Sequence, residues 1–144
     1  MDLDECFRKG LIKKTNKDKE LVKSLIEMSN IKEISVRTAK INEVIISAYV
    51  SLAYDSLREI LEALCILKGY KVLSHICIGE LLKSILEDFD YEEFDRLRWV
   101  RNSINYYGEK VEFGQGKEII EKIFTIKKKI LGKYFDGLMN KSKL

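Results

Sequence analysis

The chain has no proline and only eight glycines among its 144 residues. An all-β sandwich needs many tight turns, and those turns are built largely from these two residue types. Hydrophobic residues make up 46% of the chain and charged residues 34%, which is typical of a folded domain and excludes a disordered one. A chain of this length buries one core, so the sequence predicts a single all-α domain over residues 1–144.

Hydrophobic spacing predicts the first helices. A stretch without helix breakers runs from Thr38 to Lys68, with apolar residues at three-, four- and five-residue intervals. It predicts one long amphipathic helix that ends at Gly69. A shorter helix is expected over 18–28, where Ser29 and Asn30 would end it, and a further turn or two within the first ten residues.

The second half of the chain predicts three more helices. One begins after Ser74 and continues to residue 85. Asp90 and Glu93 have the spacing of a reciprocal cap, which would open a helix closed by Gly108. A Gly-rich link at 114–116 precedes the last helix. The predicted architecture is therefore a bundle of about five helices.

The predicted helix over 91–107 has two distinct faces on a wheel of about 100° per residue. Its core side gathers Phe94, Leu97, Val100, Ile104 and Tyr107. Its other side carries Arg98, Trp99, Arg101, Asn102, Asn105 and Tyr106. Aromatic residues and arginine are favoured in interface cores, so we expect a contact surface that includes Trp99 and Tyr106. The alternative is that another helix of the same bundle covers Trp99.

The string Arg101-Asn102-Ser103-Ile104-Asn105-Tyr106-Tyr107-Gly108 ends the fourth of the five predicted helices, behind the long central helix. In this placement the chain resembles the HEPN superfamily (higher eukaryotes and prokaryotes nucleotide-binding domain), as an archaeal-type member. The family motif is an arginine, usually followed by a polar residue, with four to six positions in all before a histidine. Arg101 and Asn102 match the first two positions, and Tyr106 stands in place of the histidine.

The resemblance implies a small all-α domain that works as a two-fold homodimer, associated with RNA or nucleotides and of toxin or defence type. Many members are metal-independent RNases in which the RNA 2′-hydroxyl attacks the neighbouring phosphate. The catalytic set carried over is Arg101 as the cation on the phosphate, Asn102 orienting the nucleotide, and Tyr106 in the histidine position. The residues predicted to bind nucleic acid or phosphate are Arg98, Arg101, Asn105 and Tyr107.

Tyr106 differs from histidine in acid–base chemistry. A tyrosine hydroxyl is ionised to only about 0.1% at pH 7, which corresponds to a penalty of roughly 4 kcal/mol for a general base. We therefore expect ribonuclease activity to be absent or much reduced while a phosphate-binding cleft persists. The resemblance leaves open whether the chain is an enzyme.

Two alternatives belong to other functional classes. Some HEPN proteins are partnered by a small nucleotidyltransferase that modifies a tyrosine just past the motif histidine with adenylate groups. Tyr106 and Tyr107 lie near that place, although the usual register falls on Gly108. The chain would then be a non-catalytic partner or substrate subunit. The other alternative is a plain dimerisation domain.

His75 is the single histidine of the chain. It is either an ordinary residue in the first turn of the helix after Ser74, or a contributor to the Arg101 cleft in place of the missing motif histidine. Two arginines that converge near a dimer axis would repel each other unless carboxylates compensate them. The candidates for this compensation on the central helix are Asp55, Glu59 and Glu62.

The remaining residues predict no cofactor and no metal site. Cys6, Cys65 and Cys77 are too widely spaced for metal binding, so we expect them to pack as small hydrophobic residues in the reducing cytoplasm. Neither a signal peptide nor a membrane anchor is expected. A lysine-rich last helix is predicted to be either a solvated face or a contact for a phosphate backbone; its lysines are Lys117, Lys122, Lys127, Lys128, Lys129, Lys133, Lys141 and Lys143.

Overall fold

The computed structural model describes residues 1–138, and most of them are helical. The elements in order are α1 (Leu3–Arg8), β1 (Ile12–Lys14), α2 (Lys19–Thr38), α3 (Ile46–Leu67), β2 (Tyr70–Val72), α4 (His75–Ile85), α5 (Tyr91–Tyr107) and α6 (Phe113–Tyr134). The predicted helical bundle is confirmed, with one addition. Strands β1 and β2 pair antiparallel, with Ile12 opposite Val72. Strands of three residues carry too little periodicity for a sequence pattern to reveal them.

Helix α3 lies at the centre of the bundle and packs against α2, α4, α5 and α6. Its buried residues cover nearly its whole circumference, as expected for a helix enclosed by others. Polar residues on α3 are therefore carried into the interior. This burial places Tyr54 and the neighbouring charged residues Asp55 and Arg58 where α4 and α5 can reach them.

The predicted boundary between α2 and α3 is wrong. Helix α2 continues through Ser29 and Asn30 to Thr38, and the central helix begins only at Ile46. Ser29 does not break the helix because it is buried, and its hydroxyl donates to the carbonyl oxygen of Ser56 on α3 at 2.6 Å. The chain is broken instead near Asn42, whose side-chain oxygen accepts from the backbone N–H of Val44 at 2.9 Å.

Helices α4 and α5 have the predicted bounds. The Asp90 carboxylate accepts from the Glu93 backbone N–H at 3.1 Å, and Gly108 adopts the left-handed conformation that ends α5. The reciprocal half of the predicted cap is wrong, because the Glu93 carboxylate pairs with Arg96 and with Lys122.

The Gly-rich segment is not a link. Residues 114–116 form the first turn of α6, which is capped by Glu112. The Glu112 carboxylate accepts from the backbone N–H of Gly114 at 2.8 Å and of Gln115 at 2.9 Å. The glycines have a packing role, since a Cβ atom on Gly116 would lie 2.4 Å from Cγ1 of Ile46.

The cysteines differ from the prediction in one respect. Cys6 of α1 and Cys77 of α4 form a disulfide, with Cα atoms 5.8 Å apart. Only Cys65 is a buried free thiol of the expected kind. The expectation that all three pack as thiols is wrong for this pair, so the cysteines no longer favour a reducing compartment.

Two further findings apply to residues 1–138. Every helix there is too short or too polar to cross a bilayer. In the same residues, no three or more histidine, cysteine, aspartate or glutamate side chains are grouped as they would be around a metal ion.

Replacing Gly116 tests the packing of α6 on α3. We expect Gly116→Ala to lower the free energy of unfolding by about 1–3 kcal/mol, because the added methyl group would clash with the buried side chain of Ile46. The matched control is Gly132→Ala on the same helix, where a Cβ atom meets nothing within 4 Å. That variant should be neutral or stabilised by up to about 1 kcal/mol. Urea unfolding measures both, and equal effects would contradict the packing.

Candidate functional site

Arg101 faces the central helix. Its side chain is 17% exposed, and its Nη2 lies 3.6 Å from Oδ1 of Asp55 on α3. The guanidinium carbon lies 5.9 Å from the centre of the Tyr54 ring. The prediction that Arg101 extends outwards from the edge of the α5 core face is therefore wrong. A carboxylate on α3 holds this cation at the helix–helix boundary.

Asn105 completes the setting of Arg101. In the amide orientation that satisfies both neighbours, its nitrogen donates to Ser51 Oγ at 3.0 Å. Its oxygen then accepts from Arg101 Nε at 3.1 Å and from Nη2 at 3.3 Å. Asn105 was predicted to bind phosphate. In this arrangement it orients the arginine that would do so.

Arg98 is also turned inwards, again contrary to the outward position predicted for it. The residue is buried, and its Nε and Nη2 donate to Oδ1 of Asp95 at 3.1 Å and 2.8 Å. Its guanidinium carbon lies 5.1 Å from the centre of the Trp99 ring. The positive charges of Arg98 and Arg101 both act on Tyr54.

A third arginine comes from α3 itself. Arg58 pairs with Glu62 one turn later, and its Nε lies 3.9 Å from Oδ1 of Asp55. Of the acids predicted to balance the charge of the arginines, Asp55 pairs with Arg101 and Glu62 pairs with Arg58. Glu59 faces away and pairs with Lys32 of α2 at 2.9 Å.

His75 lies beside these arginines. It is the first residue of α4, and the centre of its ring is 5.9 Å from that of Tyr54. Burial lowers the pKa of His75 to about 4, with further lowering by Arg58 and Arg101 that Asp55 partly opposes. The imidazole is therefore neutral at pH 7. This position favours the second interpretation of His75, in which it belongs to the Arg101 site.

Tyr54 connects the members of this group. Its side chain is fully buried and stacks on Phe94 of α5, with ring centres 6.2 Å apart. Burial raises the pKa of its hydroxyl, which stays protonated and able to donate. Within residues 1–138, Tyr54 Oη, Asp55 Oδ1 and Arg58 Nε have no hydrogen-bond partner. The same holds for Glu59 Oε1, which pairs with Lys32, and Asp55 Oδ1 and Arg58 Nε form a loose ion pair with each other, so the Tyr54 hydroxyl is the member of this set without a partner of either kind.

We call this group the arginine cluster. Its six members are Tyr54, Asp55, Arg58, His75, Arg98 and Arg101. It offers three guanidinium groups, a neutral imidazole and a tyrosine hydroxyl from three different helices. Guanidinium groups donate in a planar fork that matches phosphate oxygens. In the unliganded chain each of these guanidinium groups already pairs with a carboxylate, of Asp55, Glu62 or Asp95.

Tyr54 and Arg58 were missed as site residues by sequence reasoning. A signal was present, because Arg58 is a charged residue within the most apolar stretch of the chain. The periodicity that identified the helix did not show which of its turns faces α5. Only the packing of α3 against α4 and α5 brings these residues to Arg101.

The outer face of α5 carries exposed aromatic residues. Trp99 is 54% exposed and Tyr106 is 71% exposed, so no other helix of the described chain covers Trp99. The alternative that the bundle itself buries this residue is wrong. Tyr107 was assigned to the core side, but it is 73% exposed because it is the last residue of α5. Asn102 is partly exposed on the same helix.

The lysine-rich last helix is partly structural. Lys127 is buried, pairs with Glu33 at 2.7 Å and donates to the carbonyl oxygen of Ser29 at 3.2 Å. Lys122 pairs with Glu93, and Lys133 pairs with Asp88. The predicted positions Lys141 and Lys143 lie outside the described residues.

Protonation of His75 should make folding stability depend on pH. The pKa of His75 falls from 6.5 in the unfolded chain to about 4 in the folded one. Between these values the unfolded state binds the extra proton, so the free energy of unfolding decreases as the pH falls through this window. Solvent screening of a partly exposed group limits the loss to the order of 1–2 kcal/mol.

The measurement is urea unfolding of the parent chain and of His75→Gln at about pH 7 and about pH 4.5. We expect the parent to lose about 1–2 kcal/mol more than the variant over this interval. Effects of the carboxylates are common to both proteins and cancel in the difference. An equal loss would contradict a neutral His75.

Comparison of the chain with family models, with curated proteins and with solved structures finds no match.

Proposed function

We propose that this chain is a HEPN-like, RNA- or nucleotide-associated protein of toxin or defence type, and that its arginine cluster binds phosphate. The observation that carries the proposal is the position of Arg101 of α5, 5.9 Å from the centre of the buried Tyr54 ring and 3.6 Å from the Asp55 carboxylate, which Arg58 also approaches at 3.9 Å. Arg101 is also the residue that matches the first position of the family motif. Two unpartnered donors nearby, the Tyr54 hydroxyl and Arg58 Nε, could bond a phosphate oxygen, whereas Asp55 Oδ1 is an acceptor and could not.

The proposal includes a two-fold homodimer formed through the outer face of α5. Trp99 and Tyr106 leave a large aromatic surface in solvent, and exposed aromatic residues of this kind are typical of interface cores. In a two-fold dimer the same face meets its own copy, so one α5 would lie against the other. The two arginine clusters would then lie behind this interface.

In this proposal the arginine cluster binds the phosphate of RNA or a nucleotide, and RNA is cleaved slowly or not at all because Tyr106 replaces the motif histidine. Tyr106 is exposed on the outer face of α5, whereas Arg101 faces α3. A tyrosine in that position is a weak base at neutral pH. We therefore expect metal-independent ribonuclease activity, if measured with the purified protein, to be at or near background.

Replacing Arg101 tests phosphate binding. We expect Arg101→Ala to weaken binding of a short single-stranded RNA by about 10-fold or more, since a charge-assisted contact contributes roughly 1.5–3 kcal/mol. The slope of log affinity against log salt concentration should also decrease by about one. Fluorescence anisotropy of a labelled RNA at two salt concentrations measures both quantities.

The matched control is Arg96→Ala. Arg96 lies on the same helix, is exposed and pairs with Glu93, outside the cluster. Its removal also takes away one positive charge, so it reports the nonspecific effect of charge. Equal weakening by the two substitutions would overturn the assignment of binding to the cluster.

Replacing Trp99 tests the dimer. We expect the parent chain to have twice its monomer mass at micromolar concentration and Trp99→Glu to be monomeric, because a charge at the centre of an aromatic interface is costly. Val44→Glu is the control, since Val44 is 89% exposed in the connection before α3. Light scattering after size exclusion gives the mass. A parent chain that is monomeric, or a dimer that Trp99→Glu leaves intact, would contradict this interface.

A second candidate function is the partner or substrate subunit of a small nucleotidyltransferase. The observation that favours it is the exposure of the adjacent Tyr106 and Tyr107, whose hydroxyls an enzyme could reach. Co-expression with a nucleotidyltransferase encoded beside this chain, followed by intact-mass measurement, tests it. Addition of adenylate that disappears in the doubly substituted Tyr106→Phe, Tyr107→Phe chain would support this function over RNA binding.

A further inference from the structure

The charges of the arginine cluster are already balanced before any ligand binds. Its three guanidinium groups, on Arg58, Arg98 and Arg101, have three carboxylates as partners. These carboxylates belong to Asp55, Glu62 and Asp95. An incoming phosphate would therefore give this partly buried site a net negative charge. Excess charge in a low-dielectric site is unfavourable, so binding requires a compensating positive charge.

His75 is the member of the cluster that can supply this charge near neutral pH. The arginines are permanently charged, and the Tyr54 hydroxyl can only lose a proton. The imidazole ring and the Arg101 guanidinium each lie 5.9 Å from the centre of the same Tyr54 ring. The charge of Arg101 already acts on His75 across this ring, so an anion held by Arg101 would act on His75 with the opposite sign.

We propose that His75 takes up a proton when a phosphate anion binds at the arginine cluster, so that binding by this chain is coupled to pH. This inference rests on the proposed phosphate-binding function and extends it. The unliganded site keeps the imidazole neutral chiefly because the ring is partly buried. The positive charges of Arg58 of α3 and of Arg101 and Arg98 of α5 add to this effect, and Asp55 of α3 opposes it. A bound anion opposes both the burial and these positive charges, so the imidazole becomes a cation that the anion stabilises.

The coupling has a defined direction. Protonation accompanies binding, so affinity increases as the pH is lowered from about 8 towards about 5.5. Because the free imidazole has a pKa of about 4, a tenfold difference in affinity between about pH 8 and about pH 5.5 requires the bound anion to raise the pKa of His75 by roughly 2.5, whereas a rise of about one gives less than a twofold difference. The effect requires a ligand whose own charge is constant, because the second ionisation of a terminal phosphate falls within the same range.

The probe is therefore an oligouridylate without terminal phosphates. Its phosphodiester groups and uracil bases do not titrate between about pH 5.5 and about pH 8, so any proton uptake belongs to the protein. We expect the parent chain to bind this probe about tenfold more tightly at about pH 5.5 than at about pH 8. In His75→Gln this dependence should be largely lost, whereas Arg96→Ala should retain it.

The protonation of His75 can also be followed directly in the parent chain, so this test needs no substituted variant. A chain with one histidine gives a single set of imidazole proton resonances, so its titration can be followed by NMR without ambiguity. We expect the midpoint of this titration to move upwards by roughly 2.5 pH units when the oligouridylate is present at saturation, the shift that a tenfold pH dependence requires.

The possible outcomes distinguish a failure of proton uptake by His75 from a failure of phosphate binding at the arginine cluster. Binding of the probe with an unchanged His75 titration, or with a pH dependence that His75→Gln retains, would overturn the proton uptake and leave phosphate binding intact. Absence of binding by the parent chain at every pH would overturn both. A shifted titration together with the loss of pH dependence in His75→Gln would establish the coupling.

Discussion

Burial of α3 among four other helices is the constraint on which the rest of the structure depends. A helix enclosed on nearly all sides carries its polar residues into the interior, where each charge needs a partner. Asp55 therefore lies opposite Arg101 of α5, and Glu59 lies opposite Lys32 of α2. The candidate site is thus a consequence of how the core is closed.

Lys127 and the arginine cluster differ in how completely their interior polar atoms are paired. Lys127 of α6 pairs with Glu33 and donates to the Ser29 carbonyl of α2, and the Ser29 hydroxyl donates to Ser56 of α3, so these contacts join three helices, α2, α3 and α6. Burial lowers the pKa of Lys127, yet the Glu33 carboxylate beside it opposes that change and holds the charged pair together. In the arginine cluster, by contrast, buried atoms of Tyr54, Asp55 and Arg58 have no hydrogen-bond partner within residues 1–138. The first group is closed by hydrogen bonds and an ion pair, whereas the second holds a buried tyrosine hydroxyl that bonds to no group of the described chain.

The two faces of α5 divide the proposed function between them. The inner face holds Arg98 and Arg101 against α3, where their charges act on Tyr54 and His75. The outer face presents Trp99 and Tyr106 to solvent. Ligand binding and self-association would then use opposite sides of one helix. A two-fold contact across the outer face would leave each cluster with its own set of residues, in contrast to a cleft shared across the axis.

The sequence by itself determined the helical class, the bounds of α4 and α5, and the caps at Asp90 and Gly108, because these depend on local spacing and backbone geometry. It also singled out Arg101 through its motif and identified His75 as the one histidine. Only the tertiary structure decided that Arg101 faces Asp55, that Tyr54 and Arg58 join it, and that His75 lies beside them. A helical wheel gives the angle of each side chain about its own axis, but the neighbour on that side is set by packing between segments far apart in the chain.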